Sequence, residues 1–272
     1  MKEIDYIELE LDGRCNRRCA FCPNSFIDRT NAGQMSEETL DRLLADLQAA
    51  DYREPITFSR YNENYIDTPL FLSRVRKIKT MLPLCRLTNA SNGDYLNKER
   101  IQQSADAGLS FLRINYYPDS EDIRFESKWH GMFIFLLSRY IVDWHDTKRV
   151  IRPDYYEAKW CVNDMEVHFI SMRPEAVLTS NRGGTVGEPY TRTMPCHSTR
   201  LYIDYNGNVM PCCNARSDIE AHQPLILGNI NEELITDIAI GEKREQILAA
   251  ISSADTLPEP CRKCNATSQG GW

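Results

Sequence analysis

The sequence predicts an α/β chain: an open, partial (β/α)6 barrel followed by a small unit built from a β-hairpin and helix. Three observations carry this. Apolar strand patterns alternate with helical apolar stripes over the first two thirds of the chain, the order that yields a parallel sheet with right-handed crossovers. From Pro189 the pattern changes, and Asn206-Gly207 stands between two short strand-like runs, a strong hairpin signal. Eight of the ten cysteines gather in two groups, over 15–22 and 196–264. The expected units are therefore 1–188 and 189–272.

The 272 residues have room for one large domain with a modest appendage, and 42% apolar with 10% aromatic residues is enough for a core. A formal charge of −7 argues against a large phosphate-binding surface, so no nucleic-acid partner is expected. Glu3 and Asp5 stand where a secretory signal would have its apolar segment. The longest apolar run, Met132 to Leu137, is too short to cross a bilayer, so no membrane association is expected. The reading is a cytoplasmic protein. Ten cysteines in a reducing compartment point to metal or redox chemistry rather than disulfides.

Ile7, Leu9 and Leu11 alternate with Glu8 and Glu10, the period of a strand with one face in a core. Ser36 before Glu37 and Glu38 caps a helix whose stripe is Leu40, Leu43, Leu44 and Leu47. Strand is expected from Pro55 to Ser59, helix from Pro69 to Lys79, and strand from Leu84 to Thr88. Helix then runs from Lys98 to Ala107, stopped by Gly108, before a strand from Leu109 to Asn115. Residues 117–160 mix Trp, Tyr and charged residues without a clean period. Met165 to Ile170 and Ala176 to Thr179 read as the last two barrel strands. Ligands in such folds sit at the carboxyl ends of the strands. No Gly-x-Gly-x-x-Gly follows the first strand. In the second unit, Arg200 to Asp204 and Asn208 to Pro211 form the hairpin, and Glu232 to Ser252 reads as helix.

Cys15, Cys19 and Cys22 lie on one polar loop after the first strand. Thiolates are soft ligands, and three on one loop can converge on a metal centre. Structural zinc sites usually come as CxxC pairs, and a loop rich in Arg and Asn is a poor place for core thiols. Cys196 precedes the hairpin, Cys212 ends it, and Cys261-Arg262-Lys263-Cys264 closes the chain's second set. That set suits one metal centre, with a zinc ribbon as the other reading.

The CxxxCxxC loop resembles the signature of the radical S-adenosylmethionine (SAM) enzymes. The resemblance implies that Cys15, Cys19 and Cys22 hold a 4Fe–4S cluster whose open iron chelates SAM. It places Phe21 beside the SAM adenine. Ser59-Arg60-Tyr61-Asn62-Glu63-Asn64 occupies the place of the family's Gly-Gly-Glu-Pro motif, implicating Tyr61 and Glu63 in binding SAM. Only Glu63 keeps the register; Asn62 and Asn64 replace the glycine and proline. Asn92 begins a turn similar to the family's Thr-Asn-Gly, and Asn115 stands where a ribose contact is implied. The C-terminal set resembles the twitch domain, the short form of the SPASM extension, with Cys196, Cys212, Cys261 and Cys264 on one auxiliary 4Fe–4S cluster. Too few cysteines remain for a second auxiliary cluster.

Residues 177–184 and the hairpin resemble twitch-type members that oxidise a cyclitol alcohol. The implied activity removes hydrogen from a hydroxyl-bearing carbon of a small polar molecule, an aminocyclitol or sugar. A flavodoxin- or ferredoxin-type donor would supply electrons. Arg182, before Gly183-Gly184, is positioned to hold a substrate hydroxyl. Cys213 is a candidate hydrogen donor that would turn oxidation into epimerisation; its plainer reading is a small buried hydrophobe. Peptide modification is the other activity in this family. The few residues before the first strand leave no leader-binding domain expected there. A non-catalytic cluster or zinc scaffold fits less well, because Glu63 and the strand order also suit SAM.

Overall fold

A computed structural model describes residues 4–117, 126–141, 147–152, 155–172 and 181–266. Strand β1 (Tyr6–Leu9) leads through the cysteine loop to a helix over Glu37–Ala49, whose N-cap Ser36 accepts from the Thr39 N–H. Then come β2 (Ile56–Thr57), a helix over Thr68–Met81, β3 (Leu87–Ser91), a helix over Lys98–Asp106 and β4 (Phe111–Tyr116). A helix over Glu126–Tyr140 precedes β5 (Lys148–Arg152), β6 (Tyr155–Val162) and β7 (Met165–Met172). The second unit contributes β8 (Arg200–Ile203), β9 (Asn208–Met210) and β10 (Gly228–Asn229), followed by helices over Ile235–Ile240, Glu242–Ile251 and Glu259–Arg262.

One ten-stranded sheet runs in the order β10-β9-β8-β1-β2-β3-β4-β7-β6-β5. Strands β8, β1, β2, β3, β4 and β7 are mutually parallel, while β5, β6, β9 and β10 are antiparallel extensions. The α/β class and parallel sheet are as the alternation predicts. The expected strand over 176–179 lies outside the described residues.

Three departures have local causes. β3 starts at Leu87, not Leu84, because the preceding helix runs on to Met81 and Leu84 points into solvent. The expected helix over 232–252 is two helices, parted at Gly241, whose ψ of 152° breaks the helical path. The helix over Glu126–Tyr140 and the antiparallel pair β5–β6 are elements that the sequence reading left unassigned. Trp129, Phe133, Leu137 and Tyr140 make the helix's buried stripe, and the Trp129 and Phe133 rings meet Tyr156 of β6 at 4.2 and 5.4 Å.

The expectation for β1 needs a larger correction. Its apolar face is buried as predicted, but Glu8 and Glu10 are also 0% exposed. The alternation here separates two interiors: the apolar face packs under helices and the acidic face looks into the barrel. Glu10 is paired with Arg29, both of its oxygens 2.9 Å from Nη1. Glu8 lies 3.6 Å from Arg60 Nε and 3.8 Å from Arg200 Nη1. Among the described residues no helix is long and apolar enough to cross a membrane.

Candidate active site

The cysteine loop is anchored at both ends. Behind it, Arg14 donates Nε and Nη2 to the Asp12 carboxylate at 3.0 and 2.6 Å, and the Glu63 N–H donates to the Arg14 carbonyl at 2.8 Å. In front, Asn16 Nδ2 and Arg17 Nε each donate to Asp94 Oδ2 at 2.7 Å. Asn92 Nδ2 donates to Asn16 Oδ1 at 2.8 Å. The Asn92-Gly93-Asp94 turn after β3 thus serves as the loop's outer fastening. Within the loop the Cys22 N–H donates to the Cys19 carbonyl at 2.9 Å.

Glu63, 1% exposed, follows β2. Its carboxylate accepts from the Tyr65 N–H (3.2 Å), the Asn92 N–H (2.7 Å) and Ser91 Oγ (3.0 Å). A carboxylate has about four acceptor positions, so these donors leave room for one more. Burial raises its pKa to about 7, against the lowering effect of the Asn92 and Tyr65 N–H groups and Ser91. Asn62 and Asn64, replacing the family's glycine and proline, both donate to the Phe58 carbonyl and brace this turn.

The neighbouring residues reach the second unit instead. Tyr61 donates its hydroxyl to the Cys213 carbonyl at 2.7 Å, and Arg60 Nε donates to the same oxygen at 2.8 Å. Arg60 Nη2 donates to Asn214 Oδ1 at 2.8 Å. The Tyr61 carbonyl accepts from buried Asn24 at 2.7 Å. Tyr61's polar groups thus join barrel to hairpin, a use the sequence reading did not foresee.

Arg182 has a left-handed φ of 49°, and Gly183 and Gly184 follow at 70° and 79°. The glycines are needed for space as well as for φ. A Cβ on Gly184 would lie 2.4 Å from Lys263 Cβ, and one on Gly183 would lie 2.6 Å from the Asn214 carbonyl. The turn therefore seats directly on the Cys261–Cys264 segment. Asn181 and Asn265 clasp it, each side-chain oxygen accepting from the other's N–H at 2.7 and 3.0 Å. Arg192 braces the same segment by donating to the carbonyls of Met194 (2.8 Å), Pro195 (3.0 Å) and Cys264 (3.3 Å).

All seven cysteines expected as ligands line one cavity of about 570 Å³, together with Cys213. Phe21, Tyr61, Glu63, Asn92, Asn115 and Arg182 line it too. The Phe21 ring stands 4.8 Å from that of Tyr117, and Asn115 Nδ2 is 3.5 Å from the Ser91 carbonyl. Cys85 is buried and Cys161 exposed, both away from this lining. Among the described residues no three Cys, His, Asp or Glu side chains stand close enough to share one metal ion. A four-iron cluster makes a different demand, since each thiolate meets its own iron.

Residues 10–130 match the model of the radical SAM superfamily, and residues 195–265 match the SPASM iron–sulfur cluster-binding domain. The chain is a radical SAM enzyme with a SPASM-type C-terminal domain. Its cofactors are SAM and iron–sulfur clusters. It is 24% identical over 273 residues to the S-adenosyl-L-methionine-dependent 2-deoxy-scyllo-inosamine dehydrogenase of Niallia circulans, covering 98% of this chain and 95% of that one. The crystal structure of BtrN in complex with AdoMet and 2-DOIA superposes with a TM-score of 0.73 at 20% identity, covering 98% of this chain and 96% of that one. BtrN in an open conformation gives 0.62 at 18%, covering 99% and 98%. At these identities the structures speak for the shared fold.

Sequence reasoning missed Arg60, Arg113, Tyr117 and Arg200, which also line the cavity. Arg113 and Arg200 lie within strand patterns, where a charged residue between apolar neighbours reads as solvent-facing. In a barrel the same position faces the interior.

Proposed function

We propose that this radical SAM enzyme takes a hydrogen atom from a hydroxyl-bearing carbon of a small polyol or aminopolyol and oxidises it to a ketone. The supporting observation is the single cavity lined by both cysteine sets. With its cofactors bound, such a site supplies an abstractor strong enough for an unactivated C–H bond. In this reading Cys15, Cys19 and Cys22 hold the SAM cluster, and Cys196, Cys212, Cys261 and Cys264 the auxiliary 4Fe–4S cluster. Glu63 takes the SAM ammonium at its remaining acceptor position, while Phe21, Asn92 and Asn115 flank the nucleoside and Tyr61 shapes the wall. Arg182 holds the substrate hydroxyl and stabilises negative charge on its oxygen. After the hydrogen atom leaves, the substrate must still lose one proton and one electron. An acceptor is therefore needed at the cavity wall, where the second cysteine set stands.

The dehydrogenase relative supports a small molecule over a peptide. The units are taken as 1–188 and 189–272. None of the ten cysteines is paired in a disulfide, which suits the reducing cytoplasm and a flavodoxin- or ferredoxin-type donor.

Cys213 favours a second reading, because it lines the cavity with its carbonyl held by Arg60 and Tyr61. Its S–H would return a hydrogen atom to the opposite face of the carbon, and the sulfur radical would then take up an electron and a proton. One experiment separates the outcomes. Reconstituted protein is incubated in D₂O with SAM, reductant and carbinol-labelled polyols, 2-deoxy-scyllo-inosamine among them. In deuterated solvent a tritium label on the carbinol carbon should appear in 5′-deoxyadenosine, with a ketone as product. No transfer from any polyol would overturn the reading. An inverted alcohol carrying solvent deuterium, lost in Cys213→Ala, would establish epimerisation instead.

A further inference from the structure

We infer that His222 is a positioning residue: its imidazole joins the Arg182 turn to the loop of the SAM cysteines and so sets how Arg182 meets the substrate. The inference rests on the reading of Arg182 as the group that holds the substrate hydroxyl, and it names what holds Arg182.

Among the described non-glycine residues, Asp51, Asn163 and Arg182 have a left-handed φ. Asp and Asn enter that region readily, because a short polar side chain can bond the local backbone; an arginine does so at a cost. Arg182 is therefore held there by its surroundings. The Asn181–Asn265 clasp does part of this, and Thr185 Oγ1 donates to the Arg182 carbonyl at 2.8 Å. Those contacts tie the turn to the second cysteine set. The next carbonyl, that of Gly183, meets His222 Nε2 at 3.2 Å.

His222 is 1% exposed, on the short 3₁₀ turn Glu220–Leu225. Its two ring nitrogens are used in opposite senses. The Arg216 N–H donates to Nδ1 at 3.1 Å, so Nδ1 carries no proton. Nε2 is then the N–H that donates to the Gly183 carbonyl. Burial holds the ring's pKa below the ordinary 6.5 and the Arg216 charge adds to this, against the Gly183 carbonyl and Asp218. The fit is close: a Cβ on Gly183 would lie 3.0 Å from His222 Cε1.

Arg216 carries the contact onward. Its buried side chain donates Nη1 to Asn24 Oδ1 at 2.9 Å and lies over the Tyr61 ring at 4.7 Å. Asn24 stands two residues beyond Cys22 and donates to the Tyr61 carbonyl at 2.7 Å. Gly183, His222, Arg216 and Asn24 thus form one hydrogen-bonded line from the Arg182 turn to the cysteine loop. A shift of about 1 Å in a group that positions substrate can cost about a hundredfold in rate. This line registers Arg182 against the side of the cavity where the radical arises.

The test compares two variants of the reconstituted holoprotein. His222→Gln can place an amide N–H where Nε2 stands; His222→Asn keeps an acceptor near Nδ1 but falls short of Gly183. Label transfer from the carbinol carbon should fall about tenfold or more in His222→Asn, while SAM cleavage without transfer and iron content stay at the parent's level. His222→Gln should retain most of the transfer. Adding His222→Asn to Arg182→Lys should cost less than about a further threefold, since both act through one side chain. Hydrogen exchange gives a readout apart from activity. The Gly184 and Thr185 amides, which donate to Asn181, should exchange about tenfold faster in His222→Asn than in His222→Gln. Equal transfer in the two variants would overturn the inference, as would additive losses in the double variant. So would losses that follow iron content or melting temperature, the result expected if His222 only packs. The reaction itself is judged on the parent. No transfer from any polyol would overturn the proposed function, and the exchange contrast would still decide whether His222 holds the turn; transfer in the parent with equal exchange in both variants would do the reverse.

Discussion

Glu63 shows how one carboxyl group can be legible as a residue type and yet take its properties from its surroundings. Its register after the second strand suffices to nominate it, but its pKa of about 7 comes from burial that only the packed turn produces. The sign follows from linkage. Because the folded pKa lies above the ordinary 4.5, the group's contribution to stability is full below pH 4.5 and is lost as pH rises through about 7. An ammonium bound at this carboxylate favours the ionised form. SAM affinity should therefore rise with pH up to about 7 and level off above it. The slope below that point approaches about tenfold per pH unit. Calorimetry in buffers of different ionisation enthalpy should record a proton released on binding. Glu63→Gln should weaken binding and flatten the pH profile; an unchanged profile would remove Glu63 from the SAM site.

At the scale of the element, β1 is the instructive case. Alternation revealed a strand but not which side is wet, since a barrel strand has two buried faces. Its acidic face depends on partners distant in sequence: Arg29 binds Glu10 and also reaches Asp218 at 3.0 Å. Removing one member leaves a buried charge poorly compensated. Glu10→Ala should cost about 3–5 kcal/mol in denaturant unfolding, whereas Glu10→Leu with Arg29→Met should recover most of that loss. Asp218 keeps Arg216 in either case. A single variant as stable as the parent would show the pair to be dispensable. The helix over Glu37–Ala49 was readable because cap and stripe are local signals, and the one over Lys98–Asp106 because Gly108 stops it. The β5–β6 hairpin was not, because Tyr156, Ala158 and Trp160 alternate with Glu157, which is itself buried.

For the whole molecule, the main fact is that the sheet does not stop between the two units. β8 pairs with β1 from Tyr6↔Arg200 to Leu9↔Ile203, so the second unit completes the barrel's edge. It also supplies Arg200 beside Glu8, Asp218 beside Arg29, and Arg216, which donates to Asn24 in the cysteine loop at 2.9 Å. A chain ending at residue 188 should accordingly lack cooperative unfolding and give little soluble protein compared with the full chain. Circular dichroism during thermal unfolding checks this, and a cooperative transition in the truncated chain would refute it.

The cofactor class was legible in the sequence alone, because CxxxCxxC is a local spacing whose resemblance to the radical SAM signature needs no knowledge of the rest of the fold. The order of strands and helices was determined in the same way, by periodicities of a few residues. The meeting of Cys15 with Cys264 in one cavity was decided by tertiary structure, as was the inward turn of Glu8 and Arg113. Both depend on closing a sheet over most of the chain. A side chain's polarity does not say whether it faces water or a barrel's interior, so the cavity's charge appears only once the strands are in place.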